Sequence, residues 1–113
     1  MLNQENLKRG TAELIILHLL HFDDLYGYQI TQEIENRSNG LYIMPEGSLY
    51  PILYRLVDKG CVSDRREVVG KRMRNYYHLE ATGKEYYKEL LNEYNNITVG
   101  IQTILSSEGG IET

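Results

Sequence analysis

The segment 47–59, GSLYPILYRLVDK, concentrates side chains that can hydrogen-bond to an anionic polymer. On a helix, at about 100° per residue, Leu49, Ile52, Leu53, Leu56 and Val57 form one apolar stripe. Gly47, Ser48, Pro51, Tyr54, Arg55 and Asp58 fall on the opposite face, with Tyr50 on the flank. A serine hydroxyl can donate to a phosphate oxygen or a base, and an arginine can address guanine or phosphate. A tyrosine offers a hydroxyl to phosphate and a ring to a thymine methyl. Plainer readings stand beside these. Tyr50 could belong to the core rather than the polar face, Tyr54 could be a solvated aromatic, and Arg55 could pair with Asp58 at the surface, where such pairs contribute little.

A second basic group follows. Arg65, Arg66, Lys71, Arg72 and Arg74 lie in or between two β-leaning runs, 61–69 and 75–79. The runs read as a hairpin joined by Gly70–Arg74, with a basic tip. Contacts of such a tip to phosphate position a protein without reading sequence; a solvated hairpin is the plain alternative. The chain carries a net charge of −4, yet residues 46–76 hold 7 Lys/Arg against 4 Asp/Glu, while the flanking segments are acidic. Folding the acidic ends together would leave a body with one positive edge, unless the distribution is random scatter.

Enzymatic chemistry finds little support. His18 and His21 are three residues apart on a helix, a spacing that could chelate a metal, but no third ligand accompanies them, and no metal or cofactor is expected. No nucleophile elbow or phosphate-cradling glycine loop is present.

These groups need elements to hold them. Residues 11–22 read as a nearly all-apolar helix with Thr11 as N-cap, and 25–37 as a second helix with Asp24 as cap. Helix 47–59 stops at Gly60. With Ser48 or Gly47 as cap, Pro51 falls at or near the turn whose N–H groups lack intrahelical partners, where proline is tolerated. The last helix spans 80 or 82 to 105. Tyr87, Leu90, Tyr94, Ile97, Ile101 and Ile104 recur at spacings of three and four, a heptad-like seam. At ~36 Å this helix outruns so small a domain, so its seam is expected to meet a partner helix, against the alternative of lying along its own core.

The 113 residues suit one folding unit. The single cysteine, Cys61, forms no internal disulfide. The N-terminal residues lack the apolar core of a signal peptide, and the longest apolar run is too short for a bilayer. A cytoplasmic location without membrane association is expected. The order of elements is that of a winged helix-turn-helix: mainly α with a small β-hairpin, plus a long C-terminal dimerisation helix.

Leu25-Tyr26-Gly27-Tyr28-Gln29-Ile30, then Gly47-Ser48-Leu49-Tyr50-Pro51-Ile52-Leu53-Tyr54-Arg55-Leu56, then Gly60, Arg74-Asn75-Tyr76-Tyr77-His78-Leu79 and Gly83 resemble the PadR family of transcriptional regulators, over residues ~7–105. The short single C-terminal helix resembles the family's compact subgroup. The resemblance implies a homodimeric winged-helix regulator, usually a repressor, that binds a double-stranded DNA operator and in many members is released by a small aromatic effector. It implies a winged helix-turn-helix domain over 1–79, a dimerisation helix over 80–106 and a flexible tail over 107–113. The second helix of such a motif enters the major groove. That assigns Tyr28, Gln29, Ser48, Tyr50, Pro51, Tyr54, Arg55, Lys71, Arg72 and Arg74 to DNA. It assigns His18, Tyr87, Leu90, Tyr94, Ile97, Ile101 and Ile104 to a dimer interface or ligand pocket, in which the tyrosines either grip a planar molecule or simply fill space. Glu80 replaces the threonine common after the family's YYxL. A protein-interaction module without DNA binding is the alternative function.

Overall fold

The computed structural model describes Lys8 and residues 10–111. Residues 1–7 and 9 of the expected DNA-binding domain, and 112–113 of the expected tail, lie outside the described residues. Within them are four helices and a small antiparallel sheet: α1 (Ala12–Leu20), β1 (Leu25–Tyr26), α2 (Gly27–Arg37), α3 (Glu46–Asp58), β2 (Val62–Val69), β3 (Arg72–Leu79) and α4 (Ala81–Ser106). The strand order is β1-β3-β2.

Apolar side chains of α1, α2, α3 and the sheet meet in one core. Ile16, Leu17, Ile30, Leu49, Leu53 and Leu56 are fully buried, and Tyr77 and Leu79 close the core from β3. Each such side chain contributes ~1.5–3 kcal/mol through burial. The expected stripe of α3 is therefore the face it buries, and α1 is enclosed on most sides within its own chain.

Several local expectations are corrected. Thr11 stands at the N-cap of α1, but its hydroxyl does not cap; it donates to the Lys8 carbonyl at 2.6 Å and lies 2.9 Å from the Tyr42 hydroxyl. The second helix does not begin at residue 25. Leu25 and Tyr26 form a short strand opposite Tyr77 and Tyr76. The helix starts at Gly27, and Gln29 Oε1 reaches back to accept the Tyr26 N–H at 3.1 Å. Asp24 caps nothing and bonds the wing instead. α3 starts one residue early, with Pro45 as N-cap. Pro51 is thus the sixth helical residue, so one intrahelical bond to the Gly47 carbonyl is forgone. The helix continues through it because Leu49, Leu53 and Leu56 anchor the turns on both sides.

The hairpin turn is shorter than expected. Gly70, at φ 64°, and Lys71 form a two-residue turn between Val69 and Arg72. Arg72–Arg74 therefore belong to β3, where pairing fixes which face each side chain takes. α4 starts at Ala81 rather than Thr82, with Glu80 in the N-cap position. The Glu80 carboxylate accepts a 2.6 Å bond from Ser63 Oγ in β2 and ties the helix start to the sheet. Gly83 permits this closeness, since a Cβ there would lie 2.1 Å from the Cys61 carbonyl oxygen.

α4 has 26 residues, ~39 Å of helix. Tyr86, Tyr87 and Leu90 pack against the core, and Lys59 Nζ bonds Glu13 of α1 at 3.2 Å and Tyr86 of α4 at 3.4 Å. The Glu13 carboxylate raises the Lys59 pKa, outweighing the opposite pull of burial. Beyond Tyr94 the helix leaves the body, and the protein extends 69 × 32 × 21 Å. Its radius of gyration, 17.2 Å, exceeds the ~13 Å of a compact chain of this length. No helix among the described residues is long and apolar enough to cross a membrane.

Candidate nucleic-acid interface

α3 turns Ser48, Pro51, Tyr54 and Arg55 to the surface. Among the described residues none pairs with the Arg55 guanidinium, so the surface pair with Asp58 does not form. Tyr28, in the first turn of α2, is 55% exposed, and Tyr54 is 58% exposed. Gln29 is half-buried, with its amide oxygen held by the Tyr26 N–H, which leaves only the amide nitrogen for an outside partner.

Tyr50 lies at the edge of the core. It is half-buried against the core, and its ring stacks beside Tyr54 with centroids 6.2 Å apart. Its hydroxyl rests on the start of α2, where a Cβ at Gly27 would lie 2.4 Å from it. Gly27 therefore sets how closely α2 and α3 approach. Burial, then the Glu46 and Tyr54 charges, raise the Tyr50 pKa, so the hydroxyl keeps its proton as a donor at neutral pH. Glu46, in the first turn of α3, stabilises the helix dipole but opposes a phosphate at that terminus.

The wing separates its cations by role. Lys71 and Arg72 stand exposed at the tip. Arg74 lies on the outer face of β3 with its guanidinium 4.3 Å from the Tyr26 ring centroid. Arg65 sits 5.4 Å over Tyr76, and the Tyr26 and Tyr76 rings meet edge to face at 5.5 Å. Arg65 also bonds Asp24 and Glu67, and His78 Nδ1 lies 2.7 Å from Asp24. Burial alone would raise the Asp24 pKa; the hydrogen bonds and charges of His78 and Arg65 outweigh it and hold the carboxyl below its ordinary value. The Asp24 cluster fastens the wing's base to the loop before β1. The sequence offered Asp24 only as a helix cap and Tyr26, Tyr76 and His78 only as parts of the family-like motifs; their contacts stayed hidden because the partners are distant along the chain.

Comparison with known proteins decides the family. Residues 16–89 match the model of the transcriptional regulator PadR-like family. The chain belongs to the PadR-like family. It is 38% identical over 101 residues to an uncharacterised protein of Lysinibacillus sphaericus, covering 83% of this chain and 87% of that one. It is 31% identical over 77 residues to transcriptional regulator Rv3488 of Mycobacterium tuberculosis, covering 68% and 69% of the two chains. A solved transcriptional regulator from Clostridium thermocellum superposes with a TM-score of 0.82 at 31% identity, over 87% of this chain and 96% of that chain. The fold is the family's winged helix with a long C-terminal helix, and its members are transcriptional regulators rather than enzymes.

On the PadR-like body, away from α3, an open groove of about 770 Å³ runs between α1, the end of α2 and α4. Leu14, Ile15, His18, Tyr42, Tyr87 and Tyr94 line it. His18 Nδ1 lies 2.7 Å from the Tyr87 hydroxyl, and the His21 ring is 4.4 Å from the Tyr87 ring. The expected His18, Tyr87 and Tyr94 are thus brought together. Leu90 packs into the core instead, while Ile97, Ile101 and Ile104 lie further along α4, 61%, 50% and 71% exposed. Tyr42, missed in the sequence, is carried to the groove by the connector after α2.

Proposed function

We propose that this transcriptional regulator is a homodimeric, sequence-specific DNA-binding repressor. The observation that carries the reading is the α3 surface. Ser48, Pro51, Tyr54 and Arg55 are exposed together on a helix whose other side is anchored by the buried Leu49, Leu53 and Leu56, beside a wing with free cations at its tip. A rigid helix with an unpartnered arginine suits base-edge contact in a major groove. Lys71 and Arg72 suit phosphate, and Tyr28 and Gln29 stand where α2 would cross the backbone.

Dimerisation is supported by Tyr94, Ile97, Ile101, Ile104 and Leu105, a row of exposed apolar side chains on an extended helix. Pairing two such helices would remove the row from water and set two α3 helices on one duplex. The division into a winged helix-turn-helix over 1–79, a dimerisation helix over 80–106 and a tail follows from this reading. The groove with His18, Tyr87 and Tyr94 suits a small planar aromatic effector, whose binding would shift the spacing of the two α3 helices.

The test is a gel shift with the purified protein and the DNA upstream of its own gene. A shift that survives excess unrelated duplex is expected, and Arg55→Ala should abolish that selectivity. Equal binding to every duplex, or none, would overturn the reading. For the effector, Tyr94→Ala should keep the dimer and lose release from DNA by planar phenols; a monomeric variant would make Tyr94 packing alone.

A further inference from the structure

Tyr42 belongs to two cavities at once. It lines the groove between α1, α2 and α4, and it lines a smaller cavity of about 240 Å³ beside α3. Ser48, Ile52 and Arg55 of α3 line that smaller cavity as well, and Lys8 is shared by both. The wall between the groove and the surface of α3 is therefore built from Tyr42 and Lys8.

The bonds around Tyr42 join three elements. Its hydroxyl donates to Thr11 Oγ1 at 2.9 Å, because the Thr11 proton is already given to the Lys8 carbonyl. Ser38 Oγ, at the end of α2, accepts the Tyr42 N–H at 2.9 Å. Lys8 Nζ stands 5.2 Å over the Tyr42 ring and donates to the Ile43 carbonyl at 2.7 Å. From here the path to α3 is short and stiff. Pro45, the N-cap of α3, has its φ fixed by its ring, and it holds the residue before it towards extended backbone. That residue, Met44, is buried in the same core as the stripe of α3. Leu41 and Ile43 are 82% and 48% exposed, so little apolar packing restrains the chain on either side of Tyr42. A displacement of Tyr42 is carried to Pro45, whose carbonyl accepts the Ser48 and Leu49 N–H groups in the first turn of α3.

We infer that the connector 38–45, keyed by Tyr42, couples the groove to the exposed face of α3 within one subunit: a molecule seated in the groove pushes the Tyr42 ring towards the smaller cavity and re-aims the first turn of α3. A ligand shifts an equilibrium only if it binds the two arrangements unequally. Here the inequality arises because the Tyr42 ring forms part of the groove wall in one arrangement and is withdrawn in the other. The inference rests on the effector reading above and gives it a route that does not need the two copies of α3 to change their spacing.

The coupling is the ratio of DNA Kd values with and without saturating 2-naphthol, a planar phenol, for the full chain and the DNA upstream of its own gene. The wild type is expected to bind DNA about tenfold more weakly with 2-naphthol. Its Ser48 and Leu49 amides should then exchange hydrogen several-fold faster. Tyr42→Phe and Thr11→Val, which each remove one end of the 2.9 Å bond, should bring the ratio below about twofold with 2-naphthol again saturating. Variants that keep the wild-type ratio would overturn the connector route and leave the effector reading standing. DNA release without any change at Ser48 and Leu49 would assign release to the spacing of two copies and overturn the proposal. Failure of 2-naphthol to bind the wild type would overturn the effector reading and this coupling with it. A ligand-free variant tests the connector alone: Ser38→Ala, which frees the Tyr42 N–H, should quicken exchange at Ser48 and Leu49 while Leu53 and Leu56 stay protected. Wild-type exchange in that variant would show that the connector does not hold α3 and overturn the proposal whatever the groove binds.

Discussion

α3 and α4 are both amphipathic helices written with leucine, isoleucine and tyrosine at spacings of three and four. In α3 the apolar stripe is satisfied inside its own chain, with Leu49, Leu53 and Leu56 fully buried. In α4 only the first turns reach the core, and Ile97, Ile101, Ile104 and Leu105 remain in water. Hydrophobic pattern alone thus does not say whether a face is buried within its own chain. Length decides: 13 residues fit the body, whereas 26 overrun it. The two helices therefore differ in what their chain does for them: α3 is held by its own core with its polar face outward, whereas the far half of α4 keeps its apolar row exposed.

The sharpest way to break this contrast is to damage each stripe separately. Leu53→Ala should cost ~2–5 kcal/mol of folding stability, a large part of the ~5–15 kcal/mol a small domain has. Thermal melting would show it as a marked fall or as no cooperative transition. Ile101→Glu with Ile104→Glu should leave the helical spectrum and fold intact yet give a monomer by sedimentation. Should the alanine variant melt normally, α3 is not anchored as described; should the glutamate variant stay dimeric, the open seam is not the joint.

A smaller effect separates the two kinds of wing cation. Each phosphate neutralised adds ~0.9 to the slope of log affinity against log salt. Lys71→Ala with Arg72→Ala should lower that slope by up to ~1.8 and weaken binding to all duplexes alike, without moving the melt. Arg74→Ala should lower the melting temperature as well, because its guanidinium covers the Tyr26 ring. If both variants affect binding only, the stack on Tyr26 is idle; if the tip variant changes sequence preference, the tip reads bases.

Most of the architecture was legible because it is periodic. The stripe of α3, the seam of α4 and the basic hairpin all follow from spacing, and α3's exposed polar face is the complement of its stripe. What stayed illegible depends on contacts between distant residues. Leu25 and Tyr26 carry no strand pattern and become β1 only because Tyr76 and Tyr77 arrive beside them. Asp24 looks like a cap to the helix that follows, yet Arg65 and His78 claim it from across the fold. Arg74 reads as a tip cation until a two-residue turn places it inside a strand. Pro51 reads as lying at or near the free-donor turn until Pro45 takes the cap and makes it the sixth helical residue.

The smallest predicted effect tests the clamp that ties the wing to the loop before β1. The Asp24 carboxyl is held below its ordinary value of 3.8 by His78 and Arg65, so folding favours the ionised form. A depressed carboxyl stabilises the fold above its unfolded value and loses that contribution as pH falls through the folded one. The partners are half-exposed, so the gain is at most ~1 kcal/mol. Asp24→Asn should therefore melt slightly below the wild type at pH 7, with the gap closing as pH drops below about 4. Hydrogen exchange should quicken in β2 and β3 while α3 stays protected by its core. A gap that persists unchanged at low pH would mean the asparagine disturbs packing rather than charge, and equal exchange in wing and α3 would mean the wing needs no clamp beyond its strand pairing.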